Sequence, residues 1–249
     1  MTFKNRLREQ ACLGVFSKTL DSAFVEATGL AGLDFIVLDT EHGPASLETL
    51  HHHVRGARAG GLASIIRVKG SDPHAIGAAL DTGAVGVQVP NINTPDQARV
   101  AVEGARFHPL GQRGVCRFVR AANFGSEDKR EYFRGANEKL LVLQVEGTEG
   151  VRNLDAILAE EGFDVLFVGP YDLSQSVGRP GEVDCPEVLE LIAQIAEKAR
   201  VKGIILGAFC DTLESARRLQ SMGFHYLTYG VDINLYLEAC VRLREMLNG

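Results

Sequence analysis

Residues 35–43 read FIVLDTEHG, a run of four apolar residues followed by two acids separated by a threonine, then a histidine and a glycine. An apolar run without alternation is typical of a strand covered on both faces, as the strands of a parallel sheet are. Similar runs recur along the whole chain. The predicted strands are Cys12–Ser17, Phe35–Glu41, Ala63–Val68, Gly86–Pro90, Leu141–Glu146, Val165–Pro170, Ile204–Phe209 and Tyr226–Val231.

Helical patterns fill most of the intervals between these strands, as the crossovers of a parallel sheet require. The predicted helices are Leu47–Ala59, Pro73–Thr82, Pro95–Arg106, Val151–Glu160, Pro186–Lys202, Leu213–Met222 and Asn234–Leu247. Eight strands with helices in most of the intervals, in 249 residues, predict an α/β fold, a (β/α)8 TIM barrel that forms a single domain over residues 1–249. An open doubly wound sheet would need a phosphate-binding glycine turn after its first strand, and residues 16–19 read FSKT instead.

The composition limits the kinds of partner. Twenty-six Lys and Arg against thirty-two Asp and Glu give a net charge of −6, and no basic run stands out, so nucleic acid is not an expected partner. No apolar run is long enough to span a membrane, and the first ten residues lack the apolar core of a signal peptide. The sequence therefore predicts a cytoplasmic protein. Its five scattered cysteines form no CxxC pair, which argues against a disulfide framework.

Polar residues are concentrated where the predicted strands end. In a (β/α)8 barrel the catalytic groups stand at the carboxyl ends of the strands and in the loops that follow. The candidates at these positions are Asp39, Glu41, His42, Arg67, Gln144, Glu146, Asp172 and Ser174. We expect them to gather around the mouth of the barrel.

Glu146 and Asp172 follow neighbouring strands and have no His or Cys close to them in the sequence. Two carboxylates without nitrogen or sulfur ligands suit a hard or intermediate divalent cation, Mg²⁺, Mn²⁺ or Co²⁺. Such a site leaves positions for water and for the carboxylate and ketone oxygens of a 2-oxo acid. The two acids could equally pair with arginines or cap the helices that follow.

His42 and Arg67 are the candidates for proton transfer and charge stabilisation. A histidine held by a carboxylate is a plausible general base near neutral pH, and Asp39 could be that carboxylate. His42 could also be bonded into its loop with no proton to move. Arg67 could grip a carboxylate and stabilise an enolate oxygen, or it could form a structural ion pair with Glu41 or Glu146.

These motifs together resemble the HpcH/HpaI aldolase family, the metal-dependent (class II) pyruvate aldolases. The stretches that carry the resemblance are Phe35–Gly43, Ile66–Val68, Gly83–Pro90, Arg113–Val115, Gln144–Glu146 and Phe167–Ser174. The resemblance runs over most of the chain. The resemblance implies a retro-aldol reaction in which a 4-hydroxy-2-oxo acid is cleaved to pyruvate and an aldehyde through a pyruvate enolate.

The resemblance also implies a role for each candidate residue. Glu146 and Asp172 would bind the metal, and Arg67 would hold the pyruvyl oxygen. Gln144, Glu41 and Ser174 would contact the substrate. His42, oriented by Asp39, would handle the proton on the hydroxyl of the cleaved bond.

Family members associate as homo-hexamers, dimers of trimers, in which a terminal helix is exchanged between subunits. The apolar helix predicted at residues 234–247 is compatible with that arrangement.

The chain departs from the family pattern in the long connection between residues 107 and 139. Arg117 and Arg120 stand here in a segment that often reads alanine, arginine, alanine, serine in the family. If they lie near the mouth, they predict an anionic acceptor aldehyde. Two alternatives to the aldolase reaction remain open. One is a carbon–carbon condensing enzyme or lyase of the same fold that acts on oxaloacetate or acetyl-CoA, as in citrate synthase-like or citrate lyase-like relatives. Another is a barrel without turnover that serves as a binding protein.

Overall fold

The computed structural model describes residues 1–248 and forms a closed barrel of eight parallel strands in chain order. Each strand pairs in parallel with the next, and β8 closes the barrel on β1. This confirms the predicted (β/α)8 fold. The strands are β1 (Cys12–Ser17), β2 (Phe35–Asp39), β3 (Ala63–Arg67), β4 (Gly86–Val89), β5 (Leu140–Val145), β6 (Val165–Val168), β7 (Ile205–Cys210) and β8 (Phe224–Val231).

Helices surround the barrel and account for most of the connections. They are α1 (Phe3–Glu9), α2 (Ser22–Leu30), α3 (Leu47–Ala59), α4 (Pro73–Asp81), α5 (Pro95–Ala105), α6 (Lys129–Ala136), α7 (Thr148–Arg152), α8 (Leu154–Ile157), α9 (Pro170–Ser176), α10 (Pro186–Val201), α11 (Leu213–Ser221) and α12 (Asp232–Asn248). No helix in residues 1–248 has the length and apolarity needed to cross a membrane.

Several helices begin with the capping residues that their sequences provide. The Ser46 hydroxyl accepts a hydrogen bond from the backbone N–H of Thr49 at the start of α3, and the Asp72 carboxylate accepts two at the start of α4. Thr94 forms a capping box with Gln97 at the start of α5. Each of these caps satisfies N–H groups that a helix leaves without an internal partner. Because these helices begin directly after loops at the carboxyl ends of strands, the caps also fix the loops that frame the mouth of the barrel.

The helix predicted at Val151–Glu160 is wrong in its bounds, because the structure has two short helices there, α7 and α8, which meet at Asn153. The sequence patterns also did not indicate α1, α2, α6 and α9. Helix α2 carries an apolar residue on nearly every side and packs very closely on α3, where a Cβ on Gly29 would lie 2.2 Å from the carbonyl oxygen of Gly60. Such a segment lacks the amphipathic stripe by which a surface helix is recognised.

Aromatic rings fill the inside of the barrel below the mouth. The rings of Phe35 and Tyr226 lie 4.3 Å apart between centroids, and Phe167 packs edge-on against Tyr226 at 5.9 Å. Gly14 and Gly207 leave the space for these rings, since a Cβ on either would approach a ring carbon to within 2.9 Å. The interior is therefore a packed core that supports the polar residues above it.

The long connection between α5 and β5 lies at the amino ends of the strands, opposite the predicted mouth. The Arg120 Nη1 donates to the carbonyl oxygen of Thr82, the C-cap residue of α4, at 2.9 Å. Arg117 donates to the carbonyl oxygens of Gly125 and Glu127 within its own loop. The expectation that Arg117 and Arg120 lie near the mouth is therefore wrong for this chain. The reason is topological, because a connection from a helix into a strand reaches the amino end of that strand.

Candidate active site

A cleft of about 280 Å³ opens at the carboxyl ends of the strands. One part of its wall is polar and another is apolar. The polar lining comes from Lys18, His42, Arg67, Gln144 and Asp172, and the apolar lining from Phe16, Phe167, Pro170, Phe209 and Val231, with Gly169 and Tyr171 between them. The structure thus brings four of the predicted site residues, His42, Arg67, Gln144 and Asp172, to one cavity.

Arg67 is held in place on three sides. Its Nε and Nη2 donate to the two oxygens of Asp39 at 2.9 and 2.8 Å, and its Nη1 lies 3.1 Å from Glu41 Oε2. The guanidinium also lies over the Phe16 ring, 4.6 Å from the centroid. A bidentate pair with a buried carboxylate fixes both the position and the plane of a guanidinium. Since Asp39 leaves some of the five N–H groups unused, Arg67 can still donate into the cleft.

Asp39 serves Arg67 and the backbone, and it does not orient the ring of His42. The carboxylate is completely buried, and its Oδ1 accepts hydrogen bonds from the backbone N–H groups of Glu41 and His42 at 3.0 and 3.3 Å. Burial opposes ionisation of Asp39, yet the hydrogen bonds from Arg67 hold its pKa below the usual value. The structure has no hydrogen bond between the Asp39 carboxylate and the His42 ring. The prediction of an Asp39–His42 pair is therefore wrong, because Asp39 faces Arg67 on the neighbouring strand.

His42 lies at the rim of the cleft, and 59% of its side chain is exposed. Its Nε2 is 3.8 Å from Glu41 Oε2, so the carboxylate beside the ring belongs to Glu41. A ring this exposed can reach a substrate in the cleft.

A chain of hydrogen bonds connects Glu41 to Glu146 around the mouth. The Asn91 side chain donates to Glu41 Oε1 at 3.0 Å, and the Asn91 backbone N–H donates to Glu146 Oε1 at 2.9 Å. Asn91 has a φ of 58°, a left-handed conformation that asparagine tolerates better than most residues. This conformation lets one residue serve two carboxylates.

Glu146 is also bound from inside the barrel. Its Oε2 accepts a hydrogen bond from Gln144 Nε2, and Gln144 Oε1 accepts one from Gln88. The Tyr226 hydroxyl, at the top of the aromatic core, donates to Gln88 Oε1 at 3.1 Å. Gln144 is thus oriented with its amide nitrogen toward Glu146.

Glu146 is an acid in an environment that disfavours its ionised form. Burial raises its pKa to about 7 in spite of the hydrogen bonds from Gln144 and Asn91, and the charges of Asp172 and Glu41 contribute to the rise. Burial also raises the pKa of Glu41, against the effect of Arg67, and Glu41 Oε2 is a buried oxygen without an aligned hydrogen bond. These acids face one space, and the nearby donors and positive charge do not fully stabilise their ionised forms. Such an arrangement suits a site for a cation.

Glu146 and Asp172 are the two oxygen ligands that such a cation would find. Asp172 is exposed in the first turn of α9, and it lines the cleft. Within residues 1–248, no group of three or more His, Cys, Asp or Glu side chains is arranged as a metal site. A cation held here would therefore have two protein carboxylates, and its other ligands would come from solvent or substrate.

Gly169 permits α9 to approach Glu146. A Cβ at this position would lie 2.5 Å from Glu146 Oε2 and 3.4 Å from Gln144 Nε2. Only glycine leaves room for the Glu146 carboxylate between the two strand ends. Residue 169 therefore sets the spacing between Glu146 and the helix that carries Asp172.

Ser174 does not face the cleft. Its side chain is completely buried, its hydroxyl donates to the carbonyl oxygen of Tyr171 at 2.6 Å, and it accepts from the backbone N–H of Gly181 at 3.0 Å. The prediction that Ser174 contacts the substrate is wrong, because its hydroxyl is used to hold the end of α9 and the following loop.

The sequence patterns missed two polar residues of the site, Lys18 and Asn91. Lys18 directly follows Ser17, the last residue of β1, and Asn91 lies two residues after Val89, the last residue of β4. The rule that selected the other candidates would have found both, had it been applied to every strand. Gln88 and Tyr226 could not have been found in this way, because they lie within strands.

A (β/α)8 barrel whose mouth holds a fixed arginine, a proton-transfer candidate and several acids has the features of a TIM-barrel enzyme active site. Residues 12–239 match the HpcH/HpaI aldolase/citrate lyase family, which confirms the resemblance. The chain belongs to this family, and it is a carbon–carbon lyase.

Individual relatives agree with this assignment. The chain is 36% identical over 240 residues to the 2-keto-3-deoxy-L-rhamnonate aldolase of Salmonella gallinarum (strain 287/91 / NCTC 13346), a match that covers 95% of this chain and 89% of the relative. A crystal structure of an HpcH/HpaI aldolase/citrate lyase family protein from Burkholderia cenocepacia J2315 is 32% identical, with a TM-score of 0.93 over 99% of this chain and 98% of that one. The structure of citrate synthase SbnG is 28% identical, with a TM-score of 0.88 and the same coverage.

Proposed function

We propose that the protein is a divalent-metal-dependent aldolase that cleaves 4-hydroxy-2-oxo acids to pyruvate and an aldehyde. The observation that carries this proposal is the geometry of Arg67. Its guanidinium is fixed between Asp39 and Glu41 and still has N–H donors left for the cleft. Asp172 and Gln144 line the same cleft. The aldolases that the chain matches act on a 2-keto-3-deoxy sugar acid, which is a compound of this chemical class.

Glu146 and Asp172 would hold the cation, Mg²⁺, Mn²⁺ or Co²⁺, since their oxygens are the ligands that such ions prefer. A bound divalent cation would act as a Lewis acid that polarises the 2-oxo group. The raised pKa of Glu146 supports the assignment, because its burial near Asp172 and Glu41 leaves a site that gains from positive charge.

Arg67 would donate to the oxygen that becomes negative when the carbon–carbon bond breaks. Donors that are already oriented stabilise such a charge most effectively, because no reorganisation is needed during the reaction. Asp39 and Glu41 supply this orientation. Gln144, whose amide is fixed by Gln88 and Glu146, would contact the substrate beside Arg67.

His42 would remove the proton from the 4-hydroxyl group, with Glu41 beside it to stabilise the protonated ring. We expect the substitution His42→Ala to lower the rate of aldol cleavage by about 10²–10⁴-fold, the usual contribution of a general base. Decarboxylation of oxaloacetate forms the same enolate without a hydroxyl proton to remove, so we expect it to be retained. Parallel assays of pyruvate release from a 4-hydroxy-2-oxo acid and from oxaloacetate measure the difference.

His74→Ala is the control for this variant, since His74 is exposed at the start of α4 and does not line the cleft. Equal loss of both activities in His42→Ala would contradict the assigned role.

The proposed reaction is tested with EDTA-treated protein and a panel of 4-hydroxy-2-oxo acids, with and without Mg²⁺, Mn²⁺ or Co²⁺. Released pyruvate is coupled to lactate dehydrogenase. Pyruvate release that returns with the cation supports the aldolase.

Because the chain also resembles citrate synthase SbnG, a parallel reaction contains oxaloacetate and acetyl-CoA. Citrate formation there, with no release across the panel, would replace the aldolase by the condensing enzyme.

We also infer that the chain forms a homo-hexamer, a dimer of trimers, in which α12 packs on a neighbouring subunit. Large apolar side chains of α12 are exposed in the single chain: Ile233, Tyr236, Leu237, Leu243, Met246 and Leu247. An apolar surface of this kind typically marks an interface. The family resemblance supplies the number of subunits.

Placing charges on this helix should break the assembly. We expect the double substitution Leu243→Glu and Leu247→Glu to yield particles smaller than the wild-type hexamer in multi-angle light scattering, because two carboxylates would be buried in an apolar contact. Val201→Glu is the control, since Val201 is as exposed as Leu247, at 77%, but ends α10. A monomeric wild type, or an unchanged mass in the double variant, would contradict the inference.

A further inference from the structure

Lys18 lies across the mouth of the barrel from the proposed cation site. It directly follows β1, and Glu146 directly follows β5. In a closed barrel of eight strands in chain order, β1 and β5 are opposite each other, with three strands between them on either side. A substrate whose 2-oxo acid group lies at Glu146 and Asp172 therefore extends toward Lys18 as it crosses the cleft.

The ammonium group of Lys18 has no hydrogen-bond acceptor within the described residues. Its closest acid is Asp39, with 3.7 Å between Nζ and Oδ2, and both oxygens of Asp39 are bound more tightly by Arg67. Only 32% of the Lys18 side chain is exposed. An ammonium has three donors, and a half-enclosed one gains from any anion that reaches it.

The backbone of Lys18 is held by a buried carboxylate. Asp232, which begins α12 and is 7% exposed, accepts hydrogen bonds from the Ser17 hydroxyl at 2.6 Å, the Lys18 N–H at 3.0 Å and the Thr19 hydroxyl at 3.0 Å. This arrangement fixes the direction in which the side chain leaves β1. Lys18 is therefore a positioned group of the cleft rather than a mobile lysine on the surface.

Apolar side chains line the cleft near Lys18. Phe16, Phe167, Phe209 and Val231 come from β1, β6, β7 and β8. A fixed cation beside an apolar wall suits a short aliphatic chain that ends in an anion.

From this juxtaposition we propose that Lys18 determines substrate specificity by binding a second carboxylate, at the end of the substrate remote from its 2-oxo acid group. The proposal rests on the proposed function, which places the 2-oxo acid group at Glu146 and Asp172. The preferred substrates are then 4-hydroxy-2-oxo dicarboxylates, and the aldehyde that leaves carries a carboxylate. Lys18 takes the role that the sequence had suggested for Arg117 and Arg120.

The test compares ligands that differ only at the remote end. Isothermal titration calorimetry with the Mn²⁺-loaded protein gives the Kd of 2-oxoglutarate against 2-oxopentanoate, and of 2-oxoadipate against 2-oxohexanoate. We expect the wild type to bind the dicarboxylate of at least one pair about tenfold more tightly or better, the effect of a charged hydrogen bond. Lys18→Met should bring the two Kd values of that pair together, and Lys18→Arg should retain part of the preference.

Lys69→Met is the matched control, because Lys69 follows the end of β3, is exposed and lines a different cleft. It removes the same charge and should leave the preference unchanged. No preference in the wild type, a preference that survives in Lys18→Met, or an equal loss in Lys69→Met would overturn the proposal. Failure of the proposed function would be seen separately, as absence of pyruvate release in the substrate panel, since these probes need only bind.

Discussion

Replacing Arg67 with lysine is expected to lower kcat/KM for pyruvate release from a 4-hydroxy-2-oxo acid by about 10²–10³-fold, the effect of losing an oriented donor to a developing oxyanion. Lysine keeps the positive charge that Asp39 and Glu41 require. It cannot donate to Asp39 in the bidentate geometry seen at 2.8 and 2.9 Å while also presenting planar donors to the cleft. Steady-state kinetics with the coupled pyruvate assay measure the loss.

The chain offers a close control for this variant. Arg113 is also buried, lies over a phenylalanine ring at 4.8 Å and pairs with an aspartate, Asp81, but it stands at the amino end of the barrel. Arg113→Lys should therefore keep normal activity. Comparable activity of Arg67→Lys and Arg113→Lys would contradict the role of Arg67.

Alanine at position 67 is a less informative change. It would leave the fully buried Asp39 without its partner, and breaking a buried ion pair in this way typically costs about 3–5 kcal/mol of stability. Loss of activity in Arg67→Ala would then combine two causes. The melting temperature should fall in Arg67→Ala and change much less in Arg67→Lys.

Replacing Glu146 with glutamine is expected to weaken Mn²⁺ binding by at least about 100-fold and to abolish pyruvate release, since losing even a hydrogen-bond partner of a ligand typically costs 10–100-fold in metal affinity. Glutamine has nearly the same shape and removes the charge, and its carbonyl oxygen can still accept the hydrogen bond from the Asn91 backbone N–H. Its NH₂ group cannot accept from Gln144 Nε2, so that second hydrogen bond is lost. Titration of the EDTA-treated protein with Mn²⁺, followed by electron paramagnetic resonance of the free ion, measures the affinity.

Glu149→Gln is the control for this change, because Glu149 is exposed on α7, three residues further along the chain. It removes the same charge and should leave both Mn²⁺ affinity and activity as they are. Unchanged, saturable Mn²⁺ binding in Glu146→Gln would place the cation elsewhere. Absence of saturable binding in the wild type would favour a barrel without metal chemistry.

The fold was predictable from the sequence because most strands are apolar runs without strict alternation, although β4 and β8 contain polar residues such as Gln88 and Thr228. The run at residues 35–38 and its counterparts are covered by helices on one side and by the aromatic core on the other, so their composition carries the signal. The helices that escaped prediction are short or lack an apolar stripe, as α2 and α9 do. Their stability comes from tertiary packing, which a local pattern does not contain.

The sequence predicted which site residues stand at strand ends. It did not predict which of them pair, because pairing depends on the register between neighbouring strands. Asp39 and Arg67 end neighbouring strands at the same level and therefore pair, whereas the sequence suggested a pair between Asp39 and His42. The offset between two strands cannot be read from either strand alone. Ser174 was misplaced for a related reason, since the direction of a side chain in α9 depends on where that helix begins.

We expect Arg67 and a cation held by Glu146 and Asp172 to stabilise the enolate of pyruvate, whatever aldehyde accompanies it. The most direct measurement is exchange of the pyruvate methyl protons in D₂O, followed by proton NMR with the EDTA-treated protein before and after addition of Mg²⁺. We predict exchange that depends on added cation and is lost in Arg67→Lys and Glu146→Gln. Exchange no faster than in buffer with Mg²⁺ alone, or exchange that persists in both variants, would contradict the account.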